Sequence, residues 1–167
     1  MHTLVIYDSK FGNTEKIAQA IARGVGTLGG VRVMDTVEAA IIARPPEGRP
    51  DLLFVGGPTQ RRGPSPALRA FVDALPGSLV GVPAASFDTR YRGATLIMGS
   101  AAAQVAKILR KANGELVAPP ESFFIGRGGP LELQTLEASE IERAEAWGHA
   151  VGAAAVAGRS SVSGEHR

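Results

Sequence analysis

Residues 9–14 read Ser9-Lys10-Phe11-Gly12-Asn13-Thr14, between an apolar run, Leu4 to Tyr7, and a helical pattern that starts directly behind them. Hydroxyls and an amide at the start of a helix suit the holding of an anion. The first turn of a helix presents N–H groups with no intrahelical acceptor and the positive end of the dipole. Hydroxyls and amides around them complete a cup for a terminal phosphate. The segment has one glycine rather than three, so it fails the dinucleotide fingerprint, and it lacks the Gly-Lys-Ser/Thr of an NTPase loop. A monophosphate ester fits such a cup better than a pyrophosphate. The competing reading is a tight turn in which Asn13 merely caps the helix. Asp8 reads as a turn or cap residue, because a carboxylate beside the cup would repel phosphate.

Other chemistries are excluded. The 167 residues include no cysteine, which rules out a disulfide scaffold, a thiolate metal site, a Cys nucleophile and a dithiol motif. Any redox chemistry must therefore come from a bound cofactor. His2, His149 and His166 lie far apart, with neither metal spacing nor a catalytic triad. The 18 basic residues are scattered and the net charge is +2, unlike the basic blocks of nucleic-acid binders. No apolar run approaches the ~20 residues that span a bilayer. Met1-His2-Thr3 passes straight into Leu4-Val5-Ile6, which predicts no signal peptide and a cytoplasmic location.

The elements that must position the cup alternate along the chain. Leu4–Tyr7, Val31–Asp35, Leu52–Val55 and Val82–Phe87 read as buried strands, the third ended by Gly56-Gly57-Pro58. A fifth strand is split into Glu115–Ala118 and Ser122–Ile125 by Pro119-Pro120. Helical stripes run through Ile17, Ala20, Ile21, Gly24 and Val25, through Leu68, Phe71, Val72 and Leu75, and through Val105, Ile108, Leu109 and Ala112. Ser65-Pro66 and Ser100 are helix starts, and Asn113-Gly114 is a stop. Ser139 and Glu142 have capping-box spacing before a last stripe of Ile141, Ala144, Trp147, Gly148 and Val151. Thr36 to Pro50 is ambiguous, with a short helix over Ala39 to Ala43 that Pro45-Pro46 must break. The pattern is a doubly wound α/β sheet in one domain, 1–157, with a frayed tail over 158–167. In such sheets ligands bind beyond the carboxyl ends of the strands, which directs attention to the segments after Asp8, Gly57 and Phe87.

Ser9-Lys10-Phe11-Gly12-Asn13-Thr14 resembles the phosphate loop of the flavodoxin family, whose pattern is roughly Ser/Thr-x-Thr-Gly-x-Thr. Gly57-Pro58-Thr59-Gln60 looks like the start of that family's second flavin loop, and Ser86-Phe87-Asp88-Thr89-Arg90-Tyr91 is placed like the third. The resemblance implies a five-stranded parallel sheet of order 2-1-3-4-5 and non-covalent FMN. By position, Ser9, Gly12, Asn13 and Thr14 would hold the phosphate, helped by the backbone N–H groups of Lys10 and Phe11. Phe11 stands where many members have a hydroxyl, which removes a bond worth roughly 1.5–3 kcal/mol.

The flavin ring would then lie between Pro58–Gly63 and Phe87–Arg92. The segment Pro58-Thr59-Gln60-Arg61-Arg62-Gly63-Pro64 contains no aromatic residue, so stacking falls to Phe87 or Tyr91, with Phe87 as readily a core residue. Asp88 either accepts from the cofactor or caps its loop. One flavin face is expected to be covered only by Arg or Gln, or left open to a hydride donor, a quinone or a second subunit. From Arg61 to Arg92 there are five Arg and two Asp. Arginines near the ring would favour the anionic, fully reduced flavin, and could equally recruit an acidic protein or the phosphates of NAD(P)H. The expected function is an FMN-binding redox protein, serving a redox partner protein or a small-molecule electron acceptor such as a quinone. The alternative is a flavodoxin-like binding module with weak or lost FMN.

Overall fold

In the computed structural model, which describes residues 1–41, 48–75, 79–93, 95–126 and 134–164 (side chains to 159), the buried runs form one sheet. Strand β1 (His2–Tyr7) lies between β2 (Gly30–Asp35) and β3 (Leu52–Gln60), and β3 pairs onward with β5 (Pro83–Tyr91), all in parallel. The split strand is realised as β6 (Glu115–Leu116) and β7 (Glu121–Gly126). They pair with successive parts of β5, at Pro83↔Glu115 and at Phe87↔Glu121. The parallel order is therefore the expected 2-1-3-4-5. Two short antiparallel strands extend it: β4 (Gly63–Pro64) folds back on the end of β3, and β8 (Thr135–Leu136) pairs with β7.

Helices cover both faces because each strand is apolar on both. Helix α1 (Asn13–Gly26) and the long α6 (Glu140–Gly164) bury Val5, Phe54, Phe87 and Phe123 on one side. On the other side α2 (Thr36–Ile41), α3 (Pro66–Asp73) and α5 (Ala101–Lys111) cover Leu4, Leu53, Val55 and Ala84. Trp147 sits edge-on to Phe54 and Phe123 at ring-centroid distances of 5.5 and 5.9 Å. The glycines in the two stripes set how closely α1 and α6 approach. A Cβ at Gly24 would fall 1.9 Å from the Glu145 carbonyl oxygen, and one at Gly148 would fall 2.4 Å from that of Ile21.

The expected caps at Ser65 and Ser100 are present. Their hydroxyls accept from the backbone N–H of Leu68 (3.2 Å) and Ala103 (3.1 Å). Three local expectations change. Strand β3 does not stop at Gly56-Gly57-Pro58 but runs to Gln60, because the bare Cα atoms there admit the Phe87 ring and the Leu68 side chain against the strand. Strand β5 likewise runs to Tyr91, because β7 pairs along its end, so the third loop begins at Arg92. Ser139 has a left-handed φ of +65° instead of a capping conformation, and Glu140, which opens α6, accepts from the Phe124 N–H at 2.7 Å. Helix α6 extends to Gly164. Thr36–Ile41 resolves the ambiguous stretch, while Pro45-Pro46 lies outside the described residues. Among the described residues no helix is long and apolar enough to cross a membrane.

Candidate functional site

The carboxyl ends of β1, β3 and β5 open on a cavity of about 270 Å³. Its floor on one side is the turn into α1. Gly12 is the residue before the helix, at φ +81°, a left-handed conformation that glycine adopts without strain. Asn13 is therefore the first helical residue and not the cap. Its side-chain N–H instead donates to the Gln134 carbonyl at 3.0 Å, tying the helix start to the chain beyond β7. The Ser9 hydroxyl does the capping, accepting from the N–H groups of Gly12 (3.1 Å) and Glu15 (3.3 Å). Its own hydrogen is left for a ligand.

The turn is rich in uncommitted donors. Among the described residues nothing accepts from the backbone N–H of Lys10 or Phe11. The N–H groups of Asn13 and Thr14, in the first helical turn, have no carbonyl one turn back within the helix. The Thr14 and Thr89 hydroxyls bond each other at 2.7 Å, which consumes one of their two hydrogens and leaves the other to donate. Phe11 is 62% exposed at the cavity mouth, with the Lys10 ammonium 5.2 Å above its ring. Burial holds the Tyr7 phenol above its ordinary pKa, and the neighbouring Glu15 adds to the effect, so Tyr7 brings no negative charge to the cradle. These residues fit a phosphate monoester.

Across the cavity, β3 and β4 form a hairpin whose two turn residues, Arg61 and Arg62, both have positive φ (+45° and +73°). Side chains at the end of β5 alternate between the two faces. Thr89 reaches α1. Asp88 points to the α5 side and into the protein, while Arg90 is turned toward β7 and the segment after β5 and also borders the cavity. Asp88 is fully buried, and its Oδ2 accepts from Thr59 Oγ1 (2.9 Å), Ser100 Oγ (2.7 Å) and the Ala102 N–H (3.0 Å). Arg90 donates to Ser122 Oγ (3.0 Å), the Gly93 carbonyl (3.1 Å) and Thr95 Oγ1 (3.3 Å), which closes the turn after β5.

The structure thus gathers Ser9, Lys10, Phe11, Asn13, Thr14, Pro58, Thr59, Gln60, Thr89, Arg90 and Tyr91 around one cavity. Other expected residues do not line it. Gly12 shapes the turn without facing the cavity, and Arg61 and Gly63 border a neighbouring groove. Phe87 is fully buried beneath Gly56 and is a core residue, whereas Tyr91 lines the cavity. Asp88 serves as an internal anchor for β3, β5 and α5. Asp8 is structural too, accepting from the Ser65 hydroxyl at 2.5 Å. Two lining residues escaped sequence reasoning. Ile125 reads as any strand residue, and Gln134 stands in a stretch with no periodic signal.

The basic surroundings are also partly spent. Arg92 pairs with Glu137 (2.7 Å) and Arg69 with Asp73 (2.6 Å), and Arg62 donates to the Leu96 carbonyl (2.8 Å). Lys10 and Arg61 have no acidic partner among the described residues.

The Flavodoxin family model matches residues 5–147. Among solved structures, a flavodoxin from the domain Archaea superposes with a TM-score of 0.73 at 16% identity, over 93% of this chain and 99% of that one. Flavodoxin 1 from Bacillus cereus gives 0.71 at 19% identity, over 92% and 97%. The flavodiiron protein from Giardia intestinalis gives 0.70 at 16% identity, over 93% of this chain but 36% of that one. No curated protein sequence matches the chain. At these identities the structures establish a shared fold.

Proposed function

Because the chain belongs to the flavodoxin family of FMN-binding redox proteins, we propose that the cavity at the ends of β1, β3 and β5 holds its FMN and that the protein transfers electrons to or from a redox partner. The observation that carries this reading is the cradle of free donors at Ser9–Thr14, which opens on the cavity. When bound, the flavin supplies one- and two-electron redox chemistry that no side chain here provides.

The protein's own part is binding, orientation and electrostatics. The amides of Lys10, Phe11, Asn13 and Thr14 and the Ser9 hydroxyl would take the phosphate at the positive end of α1. The Thr14–Thr89 pair would add its remaining hydrogen. Tyr91 is the aromatic residue of the β5 end that lines the cavity. On the hairpin side the Thr59 hydroxyl is consumed by Asp88 and the Ala101 N–H, so Gln60 offers the free polar side chain. The absence of an aromatic residue from the hairpin supports a second reading, two-electron reduction of a flat acceptor such as a quinone at the expense of NAD(P)H.

Titrating the apoprotein with FMN and following flavin fluorescence tests the site. Saturable quenching at one FMN per chain is expected, and no uptake by the folded protein overturns the reading. NAD(P)H oxidation by the loaded protein, with and without a quinone, then separates reductase from carrier.

A further inference from the structure

Beside the cavity, and sharing Lys10 and Gln60 with it, lies a groove of about 650 Å³ bordered also by Arg61, Arg62, Arg69 and Gln104. Four of its lining residues are basic and, among those described, none is acidic. It adjoins an exposed apolar surface. Helix α4 (Thr95–Met98) buries none of its residues, with Leu96 90% and Ile97 71% exposed. This helix is held against the hairpin tip by the Arg62 guanidinium on the Leu96 carbonyl and by the packing of Gly99 on Arg62, where a Cβ would come within 2.2 Å of the Arg62 carbonyl oxygen.

We propose that this groove and α4 together form the docking surface for a redox protein that presents acidic residues around an apolar centre. The inference rests on the electron-transfer reading above and adds the chemistry of the partner. A basic groove alone would serve any anion, including the phosphates of a nicotinamide dinucleotide. Leucine and isoleucine held in water next to it are explained by a protein, whose interface combines an apolar centre with a charged rim. A contiguous apolar surface bordered by polar residues is itself a mark of an interaction site. The placement is functional because the groove meets the cavity at Lys10 and Gln60, so a partner seated there reaches the mouth of the flavin site. Arg61 and Arg62 remain at positive φ, where glycine or asparagine would be more stable, which keeps two guanidinium groups at the hairpin tip.

The test uses an acidic plant-type [2Fe–2S] ferredoxin as the probe. Stopped-flow reduction of the FMN-loaded protein by reduced ferredoxin is expected to slow steeply with added salt, as attraction between opposite charges is screened. Arg61→Glu together with Arg69→Glu should lower the low-salt rate constant about tenfold or more, the scale of electrostatic steering. Leu96→Ser should lower it without changing its salt dependence, and Lys111→Glu, a single charge reversal at the far end of α5, should leave it as it was. Flavin absorbance reports the FMN content of each variant. Calorimetric titration of the apoprotein with oxidised ferredoxin reads docking even if FMN is not taken up, so failure of the flavin site is told apart from failure of the surface. A salt-independent rate, an equal effect of Lys111→Glu, or loss of NADPH oxidation in the double variant with ferredoxin docking intact overturns the proposal.

Discussion

The hydroxyls of Thr14 and Thr89 lie 2.7 Å apart although 75 residues separate them in sequence. One is in the first turn of α1 and the other near the end of β5. Their bond joins the turn at Ser9–Thr14 to the opposite wall of the cavity, and both residues are almost fully buried. It is the direct link between two segments that local sequence presents as separate loops.

Thr14→Val and Thr89→Val should each cost about 1 kcal/mol in the apoprotein, the usual net worth of one hydrogen bond plus an unpaired hydroxyl. The double variant should cost less than the sum, because the second substitution removes the partner left unpaired by the first. Urea unfolding of the four proteins measures the coupling, and FMN titration should show the double variant binding more weakly than either single one.

Gly12→Ala isolates backbone strain. No atom lies within 4 Å of a Cβ built at Gly12, so the substitution meets open space, but φ is +81°. A loss of about 1 kcal/mol is expected from conformation alone. Gly12→Asn should recover part of it, because asparagine tolerates the left-handed region. FMN affinity should follow the same order.

Asp88→Ala should be among the more damaging single changes, on the order of 3 kcal/mol, because it strands the Thr59 and Ser100 hydroxyls and the Ala102 N–H in the interior. Asp88→Asn keeps an acceptor oxygen and should cost clearly less. Equal losses for the two, read from denaturant midpoints, would mean that the three bonds to Oδ2 are not what holds β3, β5 and α5 together.

The hairpin tip offers the opposite sign. Replacing Arg61-Arg62 by Asn-Gly should raise stability by about 1 kcal/mol, since this pair is favoured where both turn residues have positive φ. Ferredoxin docking should weaken in the same variant, a gain in stability at the expense of the surface charge.

Acid sensitivity is traceable in part to Asp51. The His2 backbone N–H, 2.7 Å from its carboxylate, holds the Asp51 pKa below the ordinary value, with Arg159 adding to the effect. A carboxyl whose folded pKa is depressed stabilises the fold above its unfolded value, about 3.9. That contribution disappears as pH falls from there through the lower folded value. Asp51→Asn should therefore flatten the dependence of thermal stability on pH below about 4 and leave its slope near neutrality unchanged.

Much of the fold was legible because its signals are local. Four-residue apolar runs, Ser65-Pro66, Ser100 and Asn113-Gly114 mark strands, starts and a stop within a few residues of where the structure places them. The cradle at Ser9–Thr14 was visible for the same reason, since a helix start behind hydroxyls is a property of adjacent residues. Where reading failed, the deciding partner was remote. Gly56 and Gly57 look like breakers until the Phe87 ring and Leu68 are found lying against them. Asn13 looks like a cap until Gln134, 121 residues on, takes its amide.

The amino-acid order by itself determined the alternation of elements, the doubly wound pattern, the helix start behind the hydroxyls of Ser9–Thr14 and the lack of thiol chemistry, because periodicity, capping and composition need no partner. Only tertiary structure decided which of the candidate residues line the cavity. Whether Phe87 and Asp88 face the cavity or the interior depends on the register of β5 between β3 and β7. Register is a relation among distant strands, and a single-residue slip would turn each of those side chains to the other face.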